Sequence, residues 1–328
     1  GMIGCDLGLA SCTCCQAGFG KSGARFIVST IFAVNMIGWF GIQNGVCGEA
    51  FSNAMLAMTG WDIPVVVSNT IWGIIMLLTA VYGVHALEKL DKISIPLLMI
   101  IMCYGTFLAF KVYGTGNLND EGTVQSMSFM SGVALSFNFT AVGTITGPDY
   151  TRFQKSRKDT VKSVFYGVFP MGVITLIMGI VLTKLSGQYD ISMVLIEVGL
   201  PLLGIIALVI STWTTNSTNA YSAGLNIVMA LKLKDNRRRE ATLISGIVGI
   251  VLCDLGILGH IEGVLSLLSY VVCPVGGVIL ADYWVVGKGK AKNFRPQDGV
   301  NWAGVIAWAL GAIISYTLVK IEFVGIII

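Results

Sequence analysis

The chain has 328 residues, 55% of them hydrophobic and 12% charged, with a formal net charge of +3 and a mean hydropathy of +0.79. A soluble protein of this length carries about a quarter charged residues. The composition therefore excludes a soluble globular domain and implies an integral membrane protein.

In chain order, "GMIGCDLGLASCTCC" (1–15) reads as the tail of a helix without its beginning, and no signal-peptide pattern precedes it. Its "CTCC" lacks histidine partners and zinc-like spacing, so small-residue packing is expected there. Apolar runs long enough to span a bilayer follow near 26–55, 63–86, 93–113, 129–147, 163–185, 199–230, 241–259, 261–286 and 300–319. The closing "EFVGIII" reads as the start of another helix. The expectation is a single transmembrane domain over 1–328, the interior of a longer protein. No segment alternates apolar and polar residues over about ten positions, so a barrel is excluded and the class is an all-α polytopic bundle.

The charges fit this parse. Lys21 and Arg25; Lys89 and Lys92; Arg152, Lys155, Arg157, Lys158 and Lys162; Lys232, Lys234 and Arg237–Arg239; and Lys288, Lys290, Lys292 and Arg295 all fall on one side. The opposite loops, such as "NLNDEG" (117–122), carry little positive charge. The positive-inside rule places the basic loops in the cytoplasm of a cell-membrane protein, plasma or inner. "KLKDNRRRE" (232–240) has no interleaved aromatics and is read as a topology-setting loop, without a nucleic-acid partner.

Three polar clusters interrupt the apolar spans. In "NMIGWFGIQNG" (35–45), Asn35, Trp39 and Gln43 recur at i, i+4 and i+8, with Gly38 and Gly41 thinning the helix around the indole. An indole above a side-chain amide suits a flat, neutral, hydrogen-bonding heterocycle. In "SFNFTAVGTITGPDYTRF" (136–153), Asn138 and several threonines accompany Gly143, Gly147 and Pro148, a pattern for a broken helix lining a cavity. Phe139 reads either as a second aromatic face opposite Trp39 or as an ordinary core residue.

In "STWTTNSTNAYSAG" (211–224), Thr212, Asn216 and Asn219 share one face, with Ser211, Thr214 and Thr215 beside it. Burying an amide without a partner costs about 2–7 kcal/mol, and an interhelical hydrogen bond returns about 0.6 kcal/mol. Helix packing and a wet ligand cavity are both open on composition. No charged residue lies near the middle of these three spans, which favours a neutral ligand. The two histidines, His85 and His260, lie at span ends, so catalysis by Ser-His or metal chemistry is not expected.

Together "GWFG" (38–41), "GTITGPDYTRF" (143–153), "WTTN" (213–216), "AYSAGL" (220–225) and "PVGGVILADYW" (274–284) resemble the nucleobase–cation symporter family, most of all its purine–cytosine permease branch. The resemblance implies a LeuT-type inverted-repeat bundle, with the first helix absent here and the last incomplete. It implies secondary-active import of a neutral nucleobase by alternating access. Trp39 and Phe139 stack on the base, Gln43 and Asn216 read its edge, and Asn35 and Asn138 assist; Asn138 stands where cytosine permeases carry serine. The Ser211 carbonyl and the Thr214 and Thr215 hydroxyls correspond to a cation site, for Na+ in some relatives, while others couple to H+. A hydantoin, allantoin or pyrimidine-like vitamin is the alternative cargo; a passive channel or a structural subunit is the alternative class. The base, the ion and the oligomeric state are open at this level.

Overall fold

The computed structural model describes residues 1–119, 129–188 and 191–318. Among them the secondary structure is helical, without strands. The α-helices are α1 (Met2–Leu7), α2 (Ser11–Cys14), α3 (Gln16–Gly23), α4 (Ser29–Thr59), α5 (Val65–Tyr82), α6 (Val84–Tyr113), α7 (Phe129–Ile145) and α8 (Gly147–Thr151). They continue as α9 (Arg157–Lys162), α10 (Phe169–Ser186), α11 (Ile191–Glu197), α12 (Pro201–Ala230), α13 (Arg238–Asp254), α14 (Ile261–Leu280) and α15 (Trp302–Leu318).

Each apolar run expected to span is matched by a helix. Five are long and apolar enough to cross a membrane: Gln16–Thr59, Val65–Tyr82, Ala86–Tyr113, Arg157–Ser186 and Gly263–Val286. The Ser, Thr and Asn residues of 211–222 dilute α12, which is not in that set despite its 30 residues. The α7–α8 break falls between Ile145 and Gly147, where glycine and Pro148 end one helix and start the next.

The opening segment differs from the expected helix tail. It forms two short helices, because Gly8 takes a left-handed conformation (φ 65°) and ends α1, while the Asp149 carboxylate accepts the Ser11 backbone N–H and starts α2. A second interruption lies at Gly20 (φ 77°, ψ 160°). The backbone amides released there bond to the loop before α15: Lys21 N to Gln297 O and Ser22 N to Gly299 O, each at 2.8 Å. A Cβ at Gly20 would meet Gly299 O at 2.5 Å, so a side chain is excluded by space as well as by torsion. The helix resumes through a π-helical turn, Ala24–Val28.

Helix α12 lies along α4, with α5 and α13 packed on both; α11 packs on α12, and α14 contacts α7, α15 and α4. One buried cluster (Phe19, Phe32, Met36, Val272, Val275, Ile279) joins the α3–α4 segment to α14. Another (Ile101, Leu182, Leu185, Leu195) joins α6, α10 and α11.

Candidate binding cavity

A cavity of about 1060 Å³ lies among α4, α5, α6, α12 and the α13–α14 connection. Its polar wall comes from Gln43, Glu49, Asn53, Asn69, Ser192, Ser211, Thr212 and Asp254. These residues lie from the middle of their helices toward the ends away from the basic loops. Gln43–Asn53 run from the middle of α4 into its later half, and the approach to α4 carries Lys21 and Arg25. Ser211 and Thr212 lie on the α12 half remote from Lys232–Arg239, and Asp254 closes α13, which begins at Arg238.

Glycine lets α4 approach α13 and α5 closely beside this wall. A Cβ at Gly41 would stand 3.0 Å from Gly249 O on α13, and one at Gly48 would overlap the Asn69 side chain and reach its backbone nitrogen at 2.8 Å. The close approach lets buried polar groups meet between helices. Asn44 Nδ2 donates to Asn69 O at 2.9 Å, Asn69 Nδ2 donates to Asp254 Oδ1 at 3.1 Å, and the Ser52 and Ser68 hydroxyls pair at 2.7 Å.

Of the residues singled out by sequence, Gln43, Ser211 and Thr212 face the cavity. Trp39 does not; it is 9% exposed and packs one turn away with Ile42 and Leu265, beside Leu268 of α14. Asn216 is fully buried, its Nδ2 donating to Phe40 O at 3.1 Å and lying 3.5 Å from Met76 Sδ, while its Oδ1 has no hydrogen-bond partner. Asn35 is fully buried with both amide atoms unpartnered. The Thr214 and Thr215 hydroxyls both donate to Ser211 O, at 3.0 and 3.1 Å, so they are satisfied on their own helix. Asn138 and Phe139 lie on α7, but their side chains fall outside the described residues.

The rest of the 211–224 stretch contributes to packing. Trp213 Nε1 donates to Thr79 Oγ1 at 2.9 Å, and Ser217 Oγ to Met76 O at 3.0 Å. The structure therefore does not gather Trp39, Gln43 and Asn216 around one hollow. It sets them in two adjacent helices, with Gln43 alone of the three on the cavity.

Sequence reasoning missed Asn69, Glu49 and Asp254. The dipeptide Ser68–Asn69 inside the apolar run 65–82 was the available signal. Glu49 and Asp254 lie away from the span centres in sequence but stand on the cavity wall, so the wall as a whole is not built of neutral groups alone. Their field disfavours an anion and leaves neutral or cationic guests. Among the described residues, no group of three or more His, Cys, Asp or Glu is placed to hold a metal ion. Cys12, Cys14 and Cys15 are buried, with Cys12 Sγ 2.8 Å from Ser29 Oγ.

A family model described as permease for cytosine/purines, uracil, thiamine, allantoin matches residues 1–328. The chain is 31% identical over 317 residues to the cytosine permease of Escherichia coli (strain K12), covering 95% of this chain and 72% of that protein. The inward-facing conformation of Mhp1 superposes with a TM-score of 0.78 at 20% identity, over 99% of this chain and 76% of that one. Mhp1 in a closed conformation with bromovinylhydantoin bound, a nucleobase-cation-symport-1 family transporter, gives 0.75 at 18% identity, over 99% and 77%. These likenesses bear out the LeuT-type helical fold expected from sequence.

Proposed function

The chain belongs to the family of permeases for cytosine/purines, uracil, thiamine and allantoin, and from that premise we propose that it imports a neutral nucleobase, cytosine or a purine, by cation symport. The observation that carries this reading is the cavity between α4 and α12, on which the Gln43 amide and the Ser211 and Thr212 hydroxyls stand together. Amides and hydroxyls present both donors and acceptors to a heterocycle edge, and the Glu49 and Asp254 carboxylates on the same wall still admit a neutral guest.

In this reading Trp39 joins the site when α14 moves. Its ring lies against Leu265 and the neighbourhood of Leu268, so withdrawing α14 from α4 would bare an indole face one turn from Gln43. Asn216 offers its unpartnered Oδ1 to the base, and Phe139 supplies the opposing ring, with Asn35 and Asn138 as helpers. Ser211 O, with the Thr214 and Thr215 hydroxyls turned toward it, forms the protein half of the cation site; Na+ suits such hard oxygens. The basic loops face the cytoplasm, and one group of helices rocks against another to expose the site alternately.

Uptake of a labelled base panel by cells expressing the full-length gene product, with and without sodium, tests this. Saturable accumulation against the gradient supports it; equilibration without accumulation leaves a passive channel, and no ligand-dependent uptake or thermal stabilisation leaves a structural subunit. A hydantoin or allantoin is the second reading, favoured by Asn138 at the position where serine is expected for cytosine, and competition by unlabelled compounds separates the two.

A further inference from the structure

We propose that Asp6, Arg157 and Tyr283 form a latch that seals the face carrying the basic loops and has to part when that face opens. The inference rests on the transport reading but not on the choice of substrate. The three residues come from α1, the start of α9 and the π-helical segment Ala281–Val286 after α14. Arg157 grips Asp6 as a fork: Nε to Oδ1 at 2.8 Å and to Oδ2 at 2.9 Å, and Nη2 to Oδ2 at 2.6 Å. The Tyr283 hydroxyl donates to the same Asp6 oxygen. Arg157 Nη2 also donates to Gly289 O at 2.5 Å, and its guanidinium lies 5.2 Å from the Trp284 ring centroid.

Three features mark this as more than a surface pair. The Asp6 side chain is 12% exposed and Tyr283 is 3% exposed, while Arg157 keeps 43% exposure, so the contact is shielded from water on the Asp6 side and open on the Arg157 side. Burial pushes the Asp6 carboxyl up, but the hydrogen bonds from Arg157 and Tyr283 and the Arg157 charge outweigh it and hold the group below the usual range. The cluster also ties together segments 151 and 277 residues apart in the chain, at the helix ends opposite the cavity.

A transporter that opens one face at a time needs the other face held shut by contacts able to break as a unit. Parting from Arg157 leaves the Asp6 carboxylate, which is only 12% exposed, without its counter-charge, so separation carries a cost that the open state has to offset.

Cys5 reports on the latch. It precedes Asp6, is half-buried, and its Sγ lies 3.5 Å from Gln154 O. In open membrane fragments bearing the full-length gene product, without substrate, the rate of N-ethylmaleimide addition at Cys5 is read by peptide mass spectrometry. Arg157→Ala and Asp6→Asn are expected to speed it at least about fivefold, and Tyr283→Phe, which removes one hydroxyl, about twofold. Unchanged rates in Arg157→Ala and Tyr283→Phe overturn the latch. So does equal acceleration at the buried Cys12, Cys14 and Cys15, which would mean that the segment unfolds. In a second arm, Asp6→Cys with Tyr283→Cys is joined by a short bifunctional thiol reagent that leaves the parent protein's uptake intact. Uptake is expected to stop after joining, and undiminished uptake by the joined protein overturns the requirement that the latch part. Because the first arm needs no substrate, a wrong choice of base cannot imitate either result there.

Discussion

Asn216 on α12 donates through Nδ2 to the Phe40 carbonyl of α4 at 3.1 Å, while its Oδ1 accepts nothing. The two halves of one amide thus differ: one holds the helices together, and the other is buried without a partner. Magnitudes separate the roles. An interhelical hydrogen bond in a membrane is worth about 0.6 kcal/mol, so Asn216→Ala should barely lower the melting temperature. If Oδ1 reads the base, uptake efficiency should fall by about tenfold or more, since a site built around hydrogen bonds suffers heavily when one is removed. Melting and uptake measured on the same preparation decide it: normal uptake by a well-expressed Asn216→Ala protein removes Asn216 from the site.

Thr215 gives the ion prediction. Its hydroxyl and that of Thr214 both donate to Ser211 O, so a cation at that carbonyl must displace their hydrogens and take the oxygen lone pairs instead. Thr215→Ala leaves the helix intact but deletes one ligand. The sodium concentration for half-maximal uptake should rise several-fold with little change in maximal rate. A sodium titration with an unchanged midpoint would reject Thr215 as a ligand.

The helical spans and the Gly147–Pro148 break could be read from sequence because apolar run length and proline chemistry are local properties. What escaped was tertiary or short. Helix α11, with seven residues, is too brief to announce itself by periodicity, and Gly8 ended α1 where an unbroken helix tail was expected. Gly41 was read as making room for Trp39; it instead brings α4 within reach of Gly249 O. Nothing local in Asn69 predicts its bond to Asp254, 185 residues away. Among the site candidates, sequence identified α4 and α12 as the polar helices, but which amides turn to the cavity depends on neighbours that spacing alone does not specify.

Gly48 tests the close contact that forms the cavity wall. A methyl group there would overlap Asn69 and press on its backbone nitrogen, and backbone cannot turn aside as a flexible side chain can. Overpacking of this kind costs about 1–3 kcal/mol. Gly48→Ala should lower the melting temperature of the detergent-solubilised protein by several degrees. Gly143→Ala, which meets nothing within 4 Å, should leave it unchanged; equal melting of the two variants would contradict the packing described for α4 and α5.

Gln43 gives the sharpest test of recognition, because of Asn35, Trp39, Gln43 and Asn216, the expected base-contacting residues on α4 and α12, it alone already faces the cavity. Its amide presents two N–H donors and one carbonyl acceptor. Gln43→Glu keeps the shape but makes the group acceptor-only when ionised. A base that offers N–H groups to this position should tolerate the change better than one that offers carbonyls. Each lost hydrogen bond is worth about 0.5–1.5 kcal/mol, or roughly two- to tenfold in uptake efficiency. The ratio of cytosine to hypoxanthine uptake should therefore shift in Gln43→Glu while Gln43→Ala lowers both. A variant that scales every substrate by the same factor would place Gln43 on the wall without a part in selecting what binds there.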